Sequence, residues 1–200
     1  MILSSDNEKN RCPWPGTDPL YLSYHDSEWG LPSHDDLHLF ELLILEGAQA
    51  GLSWITILKK RQSYRYAFDN FHPEIIAGYD NLKIDLLMNN EGIIRNRRKI
   101  ESAVRNAGAY IKICEKYGSF ASYLWRYTEG NPIMNRWEKM GDIPPSTPLS
   151  EKISREMKKD GFSFVGPTII YSFMQAVGMV NDHLISCFRF EECKSQVSRQ

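Results

Sequence analysis

The sequence predicts an all-α protein, and three observations carry that prediction. From about residue 35 to residue 128 the apolar residues recur at helical spacing. N-capping residues and first-turn prolines punctuate the chain where those periodic runs begin. Clear strand-type alternation between turn clusters is hard to find anywhere along the 200 residues. A hydrophobic content of 42% with 24% charged residues excludes disorder and low complexity, and 200 residues suffice for one core in one or two closely packed lobes.

Asp35 caps a helix in which Leu37, Phe40, Leu43, Ile44 and Gly47 share a broad face, and Gly51 stops it. Ser53 then caps a second helix from Trp54 to about Phe68. Pro73 suits the first turn of a short helix, and Asp80 caps another from Asn81 to about Met88. A long helix is predicted from roughly Arg95 to Tyr117, ended by Gly118, with Ile100, Val104, Ala107, Ile111 and Cys114 as its buried stripe. Thr128 to Thr147 is rich in Gly, Pro and Asn and reads as a long surface connection. Thr147-Pro148 starts a helix ending near Gly161, and Pro167 opens a buried one. A last short helix is expected from Asp182 to about Phe188. The uncharged stretch from Phe162 to Val180 is too polar for a membrane span, with Ser163, Gly166, Thr168, Ser172 and Gln175 inside it.

Lys+Arg 24 against Asp+Glu 25 gives a net charge of -1, so affinity for nucleic acid would have to come from a local patch. Four cysteines, at 12, 114, 187 and 193, are too few for a disulfide scaffold and suit a reducing compartment. With no basic and apolar leader pattern at the N-terminus, the expected location is the cytoplasm.

Three constellations could carry chemistry. Cys12 and His25 lie near one end of the chain, and His183 and Cys187 near the other at the i, i+4 spacing of one helix face. Together they form a Cys2His2 set of the kind that holds zinc; four protein ligands would close the shell, leaving the ion a structural staple. The spacing alone equally allows Cys187 to be a small buried hydrophobe and His183 a satisfied core histidine. Cys114 and Cys193 receive no role. The second constellation is a glycine turn at Gly92-Ile93-Ile94 followed by Arg95, Arg97, Arg98 and Lys99, where helix-start amides and basic side chains could hold phosphate. Lys59, Lys60, Arg61 and Arg65 could extend that surface; a merely solvated basic face is the alternative. The third is aromatic: Trp14, Tyr21, Tyr24, Trp29 and Trp54, with Glu46 inside the apolar run Leu43-Ile44-Leu45-Glu46-Gly47-Ala48. Such rings usually form core, but they can also sandwich a planar base. A glutamate is costly to bury there without a partner or a ligand.

The runs Cys12-Pro-Trp14, Tyr24-His25-Asp26-Ser27-Glu28-Trp29-Gly30, Leu45-Glu46-Gly47-Ala48-Gln49-Ala50-Gly51-Leu52-Ser53-Trp54-Ile55, Gly92-Ile93-Ile94-Arg95, Phe164-Val165-Gly166, Tyr171-Ser172-Phe173-Met174-Gln175 and Val180-Asn181-Asp182-His183 carry a further signal. In this order they resemble the constitutive 3-methyladenine DNA glycosylase I family, from Cys12 to about Cys187. The resemblance implies an all-helical member of the helix-hairpin-helix glycosylase superfamily that excises 3-methyladenine from alkylated double-stranded DNA. The free base would be the product. From the residues themselves, Lys99 in the first turns of a basic helix is explained by a phosphate contact, so no Schiff-base lysine and no strand cleavage are expected; no membrane partner is expected either, and the chain is expected to act as a monomer. The resemblance implies one structural zinc on Cys12, His25, His183 and Cys187, stapling the N- and C-terminal segments. It makes Glu46 the pocket carboxylate, Tyr24 its polar neighbour, and Trp14, Tyr21, Trp29 and Trp54 the base-binding walls. Gly51 and Leu52 resemble the duplex wedge. Gly92, Ile93, Ile94, Arg95, Arg97, Arg98 and Lys99 correspond to the hairpin and its DNA contacts. The matched domain spans 12–188 as two closely packed helical lobes, with a disordered extension at 1–11 and a polar tail at 189–200.

Two departures from the family pattern stand out. Ala48 stands where relatives can carry glutamine, and Glu91 and Ile94 differ from the two-glycine hairpin of the wider superfamily. The aspartate that many superfamily members place some twenty residues past the hairpin is missing, since no Asp occurs between Asp85 and Asp142. A leaving group that is already cationic needs less help. The same cage without chemistry would be a binding module for damaged or modified nucleobases, and a catalytic metalloenzyme would need an open coordination position.

Overall fold

The computed structural model describes residues 9–197. Ten α-helices among the described residues surround a core centred on α2 and α9. The first helix, α1 (Pro19–Ser27), starts where the Asp18 carboxylate accepts the Leu20 and Tyr21 amides and Pro19 takes the first position. The sequence shows little helical periodicity here because consecutive residues, Tyr24 and His25, are both buried.

Asp35 caps α2 (Asp36–Gln49) by accepting the His38 amide at 2.8 Å. Leu39 through Ala48 are all buried, so α2 is hydrophobic all round and runs through the middle of the protein. Leu37, expected on the buried face, is 39% exposed. The Asp36 carboxylate reaches across to the Phe120 and Ala121 amides at the start of α7 (Phe120–Trp125). Ser53 precedes α3 (Trp54–Ala67) as expected, but its hydroxyl meets Thr56 Oγ1 at 2.7 Å and not a backbone amide. Two short helices, α4 (Pro73–Ala77) and α5 (Asn81–Met88), begin where Pro73 and Asp80 predict.

The long helix α6 (Arg97–Tyr117) starts two residues later than predicted, because the Asn96 side chain accepts the Lys99 amide and sets the N-terminus. Its stripe is rotated from the predicted one: Ile100, Ala103, Ala107, Tyr110 and Ile113 are buried, while Val104, Ile111 and Cys114 are only partly so. Gly118 closes the helix at φ +85°, a conformation that favours glycine.

Thr147 and Ser150 exchange caps at the start of α8 (Pro148–Lys159), which packs on α9 (Pro167–Ala176). The long connection ahead of α8 contains β1 (Ile133–Met134), which pairs in parallel with β2 (Val180–Asn181). Two residues per strand are too few to leave a period in the sequence.

The end of the chain corrects the sequence reading most. No helix spans Asp182 to Cys187; that segment is an irregular turn, and α10 (Phe188–Val197) follows it. The Asn181 side chain accepts the His183 amide and the Asp182 carboxylate is fully engaged elsewhere, so side chains take the place of a helical ladder. Of the predicted polar tail, residues 189–197 are therefore helical, with Phe190 and Cys193 buried, while 198–200 lie outside the described residues. Of the predicted N-terminal extension, residues 1–8 lie outside the described residues. Lys9–Arg11 are held: the Asn10 amide nitrogen donates to Ser186 O at 2.7 Å, and Arg11 clasps Asp26 at 2.7 Å. No helix among the described residues is long and apolar enough to cross a membrane.

Candidate active site and metal centre

A cavity of about 320 Å³ opens between α1, α2, α3 and α9, within the size range of small-ligand sites. All six predicted pocket residues line it: Trp14, Tyr21, Tyr24, Trp29, Glu46 and Trp54. The rings brace one another in edge-to-face and tilted pairs. Trp14 lies 4.9 Å from Tyr21 and 5.1 Å from Trp29, and Tyr24 lies 5.5 Å from Trp54, all between centroids. The far side comes from α9 and the connection before α8, through Thr168, Tyr171, Ser172, Gln175, Ile143 and Pro144.

Glu46 is 4% exposed, and its Oε2 has no hydrogen-bond partner among the described residues. Burial pushes the Glu46 carboxyl up to about 8, so near neutrality an approaching cation decides whether it ionises. The indole nitrogens of Trp14 and Trp54 are likewise buried and unpaired. Burial, and then the neighbouring Glu46, hold the Tyr24 phenol well above its ordinary range, so it stays an O–H donor. One buried carboxylate oxygen and two buried indole N–H groups thus lie unpaired in an aromatic slot, at a cost to the empty protein of order 1–3 kcal/mol per orphaned group.

A smaller cleft of about 160 Å³ shares Glu46, Gln49, Thr168 and Ser172 with this cavity and extends to Gly51 and Leu52. Gly51 turns the chain at φ +79°, and Leu52 stands 41% exposed beside it. Lys99 builds this turn: its ammonium donates to Ala48 O at 2.8 Å and Ala50 O at 2.7 Å, satisfying carbonyls at the end of α2. In the fold these two carbonyls, and not a phosphate, are the partners that hold Lys99. Ala48 itself is buried in the core and does not line the cavity.

The glycine turn between α5 and α6 is also tied into the protein. A Cβ on Gly92 would lie 2.8 Å from Ser63 Cβ, so only glycine allows this approach to α3. The Gly92, Ile93 and Ile94 amides donate to Asn90 Oδ1, Asn90 O and Tyr64 Oη, and the Ile93 side chain is buried. Those three amides are therefore spent inside the protein and are not a free phosphate cradle. Arg97 pairs with Asp85 and Glu101, Arg95 approaches Glu91 at 3.9 Å, and Arg98 is exposed. Of the second basic cluster, Arg61 and Arg65 converge on Glu41, with Arg61 also on Glu28, while Lys59 meets Asp18. Arg61 and Arg65 are thus matched by Glu41 and Glu28 in a partly buried network, Lys59 pairs at the surface, and Lys60 Nζ donates to Glu91 O at 2.7 Å beside the glycine turn.

Cys12, His25, His183 and Cys187 come together, all buried, with ligand atoms within 4.8 Å of one another. Cys12 Sγ lies 3.7 Å from His183 Nδ1, and Cys187 Sγ lies 3.5 Å from His25 Nε2 and 3.6 Å from His183 Nδ1. Tetrahedral zinc, with bonds of about 2.3 Å to sulfur and about 2.05 Å to nitrogen, requires S···N spans of about 3.6 Å. The remaining ring nitrogens are also occupied: His25 Nδ1 meets Asp26 Oδ1 at 2.8 Å and His183 Nε2 meets Trp29 O at 3.1 Å. The donor set fits a closed, four-ligand metal site. The same rings serve the cavity, since Trp14 stacks edge-on at 5.3 Å from His25 and Trp29 at 4.6 Å from His183.

One functional-looking residue escaped the sequence reading. Asp182, 1% exposed, accepts four hydrogen bonds: from Asn135 and Trp137 on Oδ1, and from Tyr171 and Gln175 on Oδ2. An isolated aspartate between Asn181 and His183 has no pattern that announces this; its position beside a candidate ligand was the available signal.

An aromatic slot with an unpaired carboxylate at its wall, on an all-helical frame, defines a protein that takes up a small planar ring bearing positive charge or N–H donors. Comparison with known proteins narrows that class. Residues 14–190 match the family model for methyladenine glycosylase, so the chain belongs to the methyladenine glycosylase family. It is 48% identical over 178 residues to a DNA-3-methyladenine glycosylase of Haemophilus influenzae, covering 88% of this chain and 96% of that protein. It is 46% identical over 177 residues to DNA-3-methyladenine glycosylase 1 of Escherichia coli, covering 88% and 95%. A crystal structure of 3-methyladenine DNA glycosylase I superposes with a TM-score of 0.88 at 48% identity, over 90% of this chain and 98% of the other. The Staphylococcus aureus enzyme, solved for the structural basis of 3-methyladenine recognition, superposes at 0.87 with 41% identity, over 90% and 96%.

Proposed function

We propose that this protein is a base-excision repair enzyme, a monofunctional glycosylase that flips 3-methyladenine out of alkylated duplex DNA and releases it hydrolytically. The observation that carries this reading is the buried, unpaired Glu46 carboxylate in an aromatic cavity of a methyladenine glycosylase family member. Methylation at N3 makes the base cationic. Its charge favours the ionised form of Glu46, which then accepts from the base while the Tyr24 hydroxyl and the indole N–H groups orient it. Aromatic faces gain from the same charge, whereas a neutral adenine does not repay the desolvation of the carboxylate. The base departs neutral, so the weakened glycosidic bond can break toward an oxocarbenium-like state. Water then attacks the sugar carbon, with no aspartate past the hairpin needed and no lysine nucleophile invoked.

The connection between α5 and α6 serves as the hairpin of a helix-hairpin-helix element, with exposed Arg98 at its helix start toward phosphate. Leu52, on the turn held by Lys99, fills the duplex where the base has left. Cys12, His25, His183 and Cys187 hold one zinc ion, which when bound staples the N-terminal segment to the turn before α10 and supplies no chemistry to the reaction.

The test is chromatography of bases released from methylated duplex DNA by the wild type and by Glu46→Ala, with folding checked by circular dichroism. Release of 3-methyladenine by the wild type and its loss in the folded variant are expected. No release by the folded wild type would refute the enzyme reading and favour a module that only binds damaged bases.

A further inference from the structure

We propose that Asp182 is a positioning residue that sets the hydrogen-bonding polarity of the α9 wall of the cavity, and so makes the site select an adenine-type over a guanine-type ring. This inference rests on the glycosylase reading above. A carboxylate only accepts. Gln175 therefore must point its amide nitrogen at Asp182 Oδ2, at 2.7 Å, which leaves the carbonyl Oε1 as the atom free to meet a ligand. Tyr171 likewise spends its only hydroxyl hydrogen on the same oxygen, at 2.6 Å, and keeps lone pairs for anything else. Both residues line the cavity, so Asp182 turns two ambivalent side chains into acceptors there.

The exocyclic amine of adenine is a donor and matches that wall. A guanine ring places a carbonyl oxygen at the corresponding position, so acceptor would face acceptor. The other oxygen of Asp182 anchors the roof. Oδ1 takes Asn135 Nδ2 at 2.6 Å and Trp137 Nε1 at 2.7 Å, fixing the segment that leads to the cavity-lining Ile143 and Pro144. Because each oxygen has its own pair of donors, one atom change separates the two tasks. Asp182→Asn keeps an acceptor for Asn135 and Trp137, while its amide nitrogen can stand where Oδ2 stood and donate to Tyr171 and Gln175. Gln175 then presents its N–H2 to the ligand.

The experiment measures 3-methyladenine and 3-methylguanine released from one methylated DNA sample by the wild type, Asp182→Asn and Gln175→Met. The expected result is a fall of about tenfold in the adenine-to-guanine ratio for Asp182→Asn, and a selective loss of adenine release for Gln175→Met. A residue that merely supports the fold would slow both releases together, so unchanged ratios in folded variants overturn the inference. Should Asp182→Asn fail to fold, Gln175→Met alone decides by the same criterion. A wild type that releases neither base would instead overturn the glycosylase reading on which the inference stands.

Discussion

Replacing Glu46 with glutamine separates the stability of the empty protein from its activity. In the fold, burial raises this carboxyl from an ordinary 4.5 to about 8. Below pH 4.5 both the folded and the unfolded chain hold the proton, and the residue is neutral to stability. Between pH 4.5 and 8 the unfolded chain releases the proton while the folded protein retains it, so stability falls as pH rises. At about 1.36 kcal/mol per unit, the ceiling of this loss is about 5 kcal/mol. The cavity is open to water on one side and the interior responds, so roughly 2 kcal/mol is the expected loss. For a chain of this size that corresponds to about 4–8 °C in Tm. Glu46→Gln has no charge to desolvate and should melt higher than the wild type at pH 8, with little difference at pH 4.5. Base release by the variant should fall at least about a hundredfold. Thermal unfolding of both proteins across pH 4.5–9 reads the difference, which cancels the titration of every other group. Parallel pH curves for the two proteins would refute the account of Glu46 as a destabilised, ligand-directed carboxylate.

Other perturbations test the surrounding parts. Gly92→Ala should cost about 1–3 kcal/mol in denaturant unfolding, because the new Cβ meets Ser63 Cβ at 2.8 Å; a neutral result would contradict the close approach of the hairpin to α3. Arg98→Ala should lower the slope of log affinity for duplex DNA against log salt by about one contact, whereas Lys99→Met should weaken excision with that slope unchanged. Equal slope changes would mean that Lys99 does meet phosphate. Elemental analysis of protein purified without chelator should find one zinc per chain, and chelation should lower Tm and release the Asn10 contact with Ser186; metal-free protein with an undiminished Tm would remove the staple.

What could be foretold from the chain follows a physical division. Caps and prolines are local chemistry, so Asp35, Asp80, Thr147 and Pro167 mark the starts of their helices correctly. The glutamate inside the apolar run of α2 stands out in the sequence as exceptional, but the sequence predicts one broad buried face for that helix, whereas packing on several sides buries all of Leu39 through Ala48. The family motifs, spread from Cys12 to Cys187, named the pocket rings that now line one cavity. Residue pairing across the fold is not local and leaves no such mark in the sequence. His183 and Cys187 were matched to a helix face, yet they converge with Cys12 and His25 from an irregular turn, because the side chains of Asn181 and Asp182 replace the helical ladder. Lys99 and Arg61 looked like free cations until the fold set carbonyls of α2 beside one and two glutamates beside the other. Charge on a helix is visible in sequence, but its partner is chosen by packing. Asp182 is the clearest case, since its four donors come from segments up to 47 positions away and only their approach turns an ordinary aspartate into the centre of a wall.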